Sequence, residues 1–580
     1  MHNQRYVIRF GVIFLGLISL FIYFAIRLIL LYAFSSSYLT EMADRQQRHM
    51  VDLEPIRGTV YDRNLRPLAF NTTVYSVFAN TRQMKEADKV RARAELPGLM
   101  GESTEYIDDH LAKSRYFIWL KRKMDWDVTE KIKALKIHGI GFRKESKRFY
   151  PNAYLASHIL GFASVDNQGM EGVELQFNNE LKGTAGWMNV LRDARLRELQ
   201  IDDEYLVPKN GNSIELTIDE TIQYIAEKAL EEGYRKNNAK GGSAIVMNVR
   251  TGEILALANR PTYDLSAYAQ SDVASRTDRA ISFTYEPGSV FKIVTASAAL
   301  SEGVFTETDK INCENGQYKV GNHILHDHHP SGIITFQQVI EVSSNIGVTK
   351  IAQKVGPDKV YEYIQKFRFG RATGIDLKGE VRGMVKPPRL WSKTSIGAIP
   401  IGQEVTVTPL QLVSAIASIG NDGVYMKPFV VKAIRDADNK VIKSFEPQAE
   451  ERVIGVDIAR RMTEILVGVV ERGTATKAKI KGIRVAGKTG TAQKVENGQY
   501  THSKFYATFM GFAPADNPLL ACIVVYDEPH PSYYGGTVSA PVFQRIVEDS
   551  LRYLQAKGEW QGKVIATSPD ETKNEPKFKD

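Results

Sequence analysis

The sequence predicts an α+β fold carried on a membrane anchor, and three features predict it. Apolar runs at 243–249 and 253–258, joined by a turn at 248–252, read as a hairpin, and a second pair at 505–512 and 519–526 reads as another. The run at 483–485 is expected to be a strand beside that second hairpin, and hairpins so far apart in sequence can close into one antiparallel sheet. The chain between them is helix-rich, so sheet and helices form one domain. The third feature is an apolar N-terminal run long enough to cross a bilayer.

That run is unbroken over 10–26 apart from Ser19, and resumes after Arg27 as far as residue 34. A single helix of this length spans the hydrocarbon core, with Arg27 snorkelling to the interface. Arg5 and Arg9 precede it, which orients residues 1–9 to the cytoplasm and the bulk of the chain outside. A cleaved signal peptide is the alternative, but the apolar stretch exceeds an ordinary h-region. The chain leaves the membrane through a polar stretch at 36–50, expected to be helical. Residues 85–147 are charged and mostly helical in pattern. The sheet domain opens with a strand at 214–218 and a helix at 220–234, and 556–580 reads as a disordered tail.

Composition narrows the function. A chain of 580 residues calls for two or three domains. Net charge is +8, yet no long Lys or Arg block occurs, which argues against nucleic acid and suits an anionic envelope surface. The two cysteines, Cys313 and Cys522, lie far apart, so neither a disulfide scaffold nor a CxxC site is expected.

The chemistry concentrates in Tyr285-Glu286-Pro287-Gly288-Ser289-Val290-Phe291-Lys292 and the Ala-rich run that follows. Pro287 and Gly288 break the preceding structure, so a helix is expected from about Ser289, with Ser289 and Lys292 on one face. A serine hydroxyl needs a base to act as a nucleophile, and lysine serves if burial or a nearby cation keeps it neutral. An SxxK alone occurs by chance. Here Ser343-Ser344-Asn345 (SxN) and Lys488-Thr489-Gly490-Thr491 (KTGT) follow it in order. His323, His326, His328 and His329, with Asp327, form a second dense cluster. It reads as a polar loop in preference to a zinc site.

Three ordered motifs resemble the penicillin-binding protein and serine β-lactamase superfamily, and longer phrases resemble its class B high-molecular-weight penicillin-binding proteins. Arg57-Gly58-Thr59-Val60-Tyr61-Asp62-Arg63-Asn64 is similar to the phrase opening the class B pedestal, with Leu65 where that phrase has glycine. A turn requiring positive φ there is strained by leucine. A second phrase runs from Arg148 through His158, Gly161, Glu171 and Glu174 to Gly186, and its Arg and Glu residues read as structural ties. Residues 396–411 and 421–423 carry further family phrases. Val290 stands where many relatives have threonine, at a position without a chemical role.

The resemblance implies a transpeptidase domain at 213–555, a five-stranded antiparallel sheet flanked by helices beside a helical lobe, on a dimerisation-type pedestal at 35–212 behind an anchor at 10–34. It implies that Ser289 is the nucleophile, Lys292 its base and Ser343 the proton relay. Asn345 is implied to hold the substrate amide. Lys488 is expected to supply a fixed positive charge, Thr489 and Thr491 hydroxyls for the substrate carboxylate, and Gly490 room for substrate backbone. Backbone N–H groups of Ser289 and Thr491 are the implied oxyanion hole, and Tyr533 and Tyr534 a possible pocket wall. No metal or organic cofactor is implied.

The implied activity is D,D-transpeptidation: cross-linking of peptidoglycan stem peptides, from a D-Ala-D-Ala donor to an amine acceptor, with β-lactams acylating the same serine. The sequence contains no glycosyltransferase domain. The implied partners are therefore a SEDS-type glycan polymerase and division-complex membrane proteins in the bacterial inner membrane. Gly473-Thr474-Ala475 leans towards a septal role. A D,D-carboxypeptidase or β-lactamase-like hydrolase, or a non-catalytic scaffold or β-lactam sensor, are the alternatives.

Overall fold

The computed structural model describes residues 2–192 and 198–564. It contains two compact units, one made of Met1–Ile56 with Gly183–Gly211, the other of Arg57–Lys182 with the chain from Asn212 onward. The expected pedestal, 35–212, is divided between them. In the first unit a single helix covers His2–Gln47, and its apolar part, Arg5–Ala33, is long enough to cross a membrane. The same helix takes in most of the polar stretch expected to be helical. Arg48–Leu53, Gly186–Arg192 and Glu198–Leu206 then form a three-stranded antiparallel sheet.

In the second unit a long strand, Pro67–Ala79, pairs with Val60–Tyr61 before it and with Ile118–Met124 and Ile140–Phe149 after it. The charged stretch at 85–147 does hold three helices, Glu86–Met100, Thr104–Ala112 and Trp126–Ala134, but also these last two strands. Pairing with Pro67–Ala79 overrides their helical charge pattern. Val60–Tyr61 pairs in parallel with Ser213–Leu216, which pairs in turn with Val431–Arg435. The strand expected at the start of the catalytic domain thus pairs with the pedestal segment, in one mixed sheet of seven strands.

Two local features confirm how this phrase is held. Leu65 adopts φ +61°, the left-handed conformation that its family-glycine position demands, at a cost of about 1–2 kcal/mol for a residue with a Cβ. Asp62 offsets part of this by accepting from the N–H groups of Asn64 and Arg66, each at 2.8 Å. Glu174, fully buried, accepts from Arg57 Nε at 2.6 Å and Arg148 Nε at 2.6 Å, while Arg148 also donates to the Gly58 carbonyl at 2.7 Å. The expected structural tie is therefore one carboxylate between two guanidiniums. Removing it leaves two uncompensated buried cations, so Glu174→Ala is expected to cost about 3–5 kcal/mol, measured as a lowered denaturation midpoint. His158 is buried with Nε2 2.9 Å from the Ser275 carbonyl, and burial lowers its pKa to about 4. It is a neutral packing residue.

The central sheet has strands β1 (Gly241–Asn248), β2 (Ile254–Arg260), β3 (Ala486–Glu496), β4 (Gln499–Ala513) and β5 (Leu520–Asp527) in the order β2-β1-β5-β4-β3, all antiparallel. Both expected hairpins are present and β5 joins them. The KTGT strand β3 begins at Ala486, just after the run at 483–485. Pleating puts alternate residues on opposite faces. Phe509 packs on Phe543 of the helix Ala540–Lys557, and Tyr526 donates to the Leu230 carbonyl of the helix Glu220–Lys236. On the other face Phe512 lies against Gly420, the last residue of the buried helix Pro409–Gly420. Helices therefore cover both faces, and β3 is left as a free edge. The chain end departs slightly from expectation, since Trp560 and Val564 still pack on the core; the rest of the expected tail lies outside the described residues.

Candidate active site

Ser289 lies in a 3₁₀ turn, Gly288–Phe291, and the α-helix proper covers Lys292–Ser301. Helix geometry thus starts three residues later than expected, because Gly288 enters the turn at φ +60°. The turn is pressed against β3. A Cβ on Gly288 would lie 3.1 Å from Ala492 Cβ, and one on Gly490 would lie 3.0 Å from both the Pro287 oxygen and Val290 Cγ1. The missing side chain of Gly490 thus lets the nucleophile turn pack against the strand. Val290 is fully buried in this contact.

Lys292 is fully buried on a helix whose residues from Lys292 to Leu300 are all buried. Its Nζ donates to the Ser343 carbonyl, to Ser343 Oγ at 3.1 Å and to Asn345 Oδ1 at 2.8 Å. Lys488, equally buried on β3, donates to the same Ser343 Oγ at 2.9 Å and to the Thr489 carbonyl at 3.2 Å. One hydroxyl therefore bridges two amines. They are no more than about 6 Å apart, where two positive charges repel by roughly 3 kcal/mol at an effective dielectric near 20. Burial, then the Lys488 charge, hold Lys292 well below the ordinary lysine range. Burial also brings Lys488 down to about 7. A carboxylate partner there would favour its charged form.

Ser343 reaches between the amines from a left-handed backbone conformation, φ +63°, just ahead of the helix Asn345–Val355. That helix is capped by Asp327, which accepts from Ser344 Oγ at 2.6 Å and from the N–H groups of Asn345 at 2.6 Å and Ile346 at 3.1 Å. Asp327 thus fixes the SxN turn. Its position within the histidine cluster was visible in the sequence, but its job was not. Of the histidines, His326 offers its carbonyl to Asn345 Nδ2 at 3.0 Å and His328 meets Tyr534 edge-on.

The Ser289 hydroxyl, half-buried, has no hydrogen-bond partner among the described residues, and it opens onto two neighbouring cavities. One, of about 350 Å³, has Asn345, Gln493, Phe505 and Tyr533 on its walls. The other, of about 400 Å³, is bounded by Ser343, Thr474, Thr489, Thr491, Lys477 and Tyr534. Both tyrosines are thus wall residues: Tyr533 stacks on Phe505 with ring centroids 4.1 Å apart, and Tyr534 is largely exposed. Thr489 Oγ1 pairs with Thr474 Oγ1 at 2.6 Å, and Thr491 Oγ1 accepts from the Gly535 N–H at 3.2 Å. Thr474 belongs to the Gly-Thr-Ala triplet noted in the sequence, where no site role was assigned to it.

Known families match this architecture. Residues 242–548 match the penicillin binding protein transpeptidase domain, and residues 52–216 the penicillin-binding protein dimerisation domain. The chain is 34% identical to stage V sporulation protein D of Bacillus subtilis over 90% of its own length and 81% of that protein. It is 32% identical to the peptidoglycan D,D-transpeptidase FtsI of Escherichia coli over 90% of its length and 87% of that protein. Among solved structures, penicillin binding protein 3 of Mycobacterium tuberculosis complexed with aztreonam superposes with a TM-score of 0.67 at 27% identity, covering 88% of this chain and 97% of that one. With serine, lysines and SxN loop converging on one cleft, and both domains matched along most of the relatives' length, the chain belongs to the class B penicillin-binding proteins.

Proposed function

We propose that this protein is a peptidoglycan D,D-transpeptidase acting through an acyl-enzyme on Ser289. The observation that carries this reading is the shared hydroxyl of Ser343, hydrogen-bonded to a buried amine on either side, beside a serine that faces open cleft. Neutral Lys292 takes the Ser289 proton as Oγ attacks the penultimate D-Ala carbonyl. The N–H groups of Ser289 and Thr491 stabilise the oxyanion. Ser343 passes a proton to the departing D-Ala amine, and an acceptor amine reverses the steps to form the cross-link. Asn345 holds the donor amide, while Lys488, Thr489 and Thr491 hold the terminal carboxylate.

As a family member the protein acts on peptidoglycan and binds β-lactams. The anchor helix supports a single-pass inner-membrane protein with its N-terminus in the cytoplasm, residues 35–212 as pedestal and 213–555 as catalytic domain outside. Glycan strands would come from a SEDS-type polymerase within a division complex, and the resemblance to FtsI supports septal work. Labelling with fluorescent penicillin tests the reading. Wild type is expected to label stoichiometrically and Ser289→Ala to lose at least about 10³-fold in acylation rate. Labelling that survives in Ser289→Ala would overturn it, and release of D-Ala without cross-linked product would favour a carboxypeptidase.

A further inference from the structure

The two cavities beside Ser289 differ in charge, and the difference bears on which donor the protein accepts. The cavity on the Thr489 and Thr491 side has Lys477 on its wall and the Lys488 amine one hydroxyl away, as a carboxylate requires, and its one acid, Asp327, is engaged by the SxN turn. In the cavity on the Asn345 side the wall is uncharged but for one acid and its histidines: Glu286, three residues before the nucleophile. Glu286 Oε1 is occupied, accepting from the Glu404 N–H at 2.9 Å and from the Tyr500 hydroxyl at 3.3 Å. Its Oε2 is buried and has no hydrogen-bond partner. Burial raises the Glu286 pKa, and a second carboxylate, Glu404, adds to the rise. A half-buried carboxylate short of donors favours a ligand cation.

The proposed mechanism says what occupies this cavity. The acyl group on Ser289 is the fourth residue of the donor stem, and Asn345 holds the amide behind it. The third residue therefore lies on the Asn345 side, about 3.5 Å further along the chain. We propose that Glu286 binds an ammonium on the third-residue side chain of the donor stem, and so selects donors that carry a free amine there. An ammonium would displace the long Tyr500 contact and take its place on Oε1. The acceptor amine arrives where D-Ala left, on the Thr489 side, so it does not compete for Glu286.

This inference rests on the transpeptidase reading, and one experiment separates the two. The purified full-length protein in detergent, with an excess of glycine as a common amine acceptor, is given acyl-L-Lys-D-Ala-D-Ala, its meso-diaminopimelate counterpart and its norleucine counterpart, which lacks the amine, and D-Ala release is followed together with formation of the glycine-linked product. Wild type is expected to favour the amine-bearing donors over norleucine by about tenfold in kcat/KM, and Glu286→Gln to bring that ratio within about twofold of unity. General damage to the fold lowers all donors alike and leaves the ratio unchanged. Equal rates in wild type, or a ratio that persists in Glu286→Gln, would overturn the proposal while penicillin labelling still upheld the transpeptidase. Absence of both D-Ala release and penicillin labelling in wild type would overturn the two together.

Discussion

Lys292→Arg is expected to lower the rate of acylation by penicillin about 10³-fold, and Lys292→Met to do the same. A positioned general base is worth about 10²–10⁴-fold, and the arginine variant isolates that contribution from charge. Lysine and arginine are both long cations in water, but the guanidinium stays protonated above pH 12 and cannot accept the Ser289 proton. The Lys292 amine can, because complete burial and the neighbouring Lys488 hold it well below its ordinary range. Arginine would also bring a permanent charge to within a hydroxyl's length of Lys488. Time-resolved labelling with fluorescent penicillin, beside a thermal melt that shows the variant folded, gives the result. If arginine kept more than about a tenth of the rate, Lys292 would be acting through its charge and some other group would be the base.

Much of this site was legible before any coordinates, and the legible part follows a rule. Residue types with one chemical use at fixed local spacing could be read: Ser289 with Lys292, Ser343 with Asn345, and the four residues from Lys488. Both hairpins of the central sheet could be read as well, because alternating apolar runs bounded by turns leave few other conformations. What escaped was decided by long-range contact. Asp327 looked like one more polar residue among histidines until the helix Asn345–Val355 came to rest with its first N–H groups on that carboxylate. Nothing local at Gly490 reveals that the turn at Pro287 and Val290 packs where its side chain would lie. The strand Ser213–Leu216 could be seen, but not its partners, which are 154 residues before and some 220 after it. Leu65 shows the opposite case, where a local departure from the family phrase forecast strain and the backbone carries it at φ +61°.

Lys488→Met is expected to have two separable effects, and the second is the more diagnostic. Removing a buried cation that meets the substrate carboxylate should lower kcat/KM for D-Ala-D-Ala donors by about 10²-fold, since truncating one partner of a buried charge pair costs about 2–5 kcal/mol. The same change removes the charge that helps hold Lys292 neutral. The acid limb of the acylation profile, where Lys292 takes up its proton, should therefore move to higher pH by about one to two units, as roughly 3 kcal/mol of lost repulsion implies. Stability gives an independent check on sign. In the folded protein Lys488 titrates near 7, below the unfolded lysine value of about 10.4. Between those values the unfolded chain binds the extra proton, so wild type should gain stability over Lys488→Met by about 1.4 kcal/mol per pH unit, with no such slope below pH 7. An acid limb that stays in place in Lys488→Met would mean that burial alone deprotonates Lys292. The two lysines would then serve Ser343 from either side without governing each other's charge.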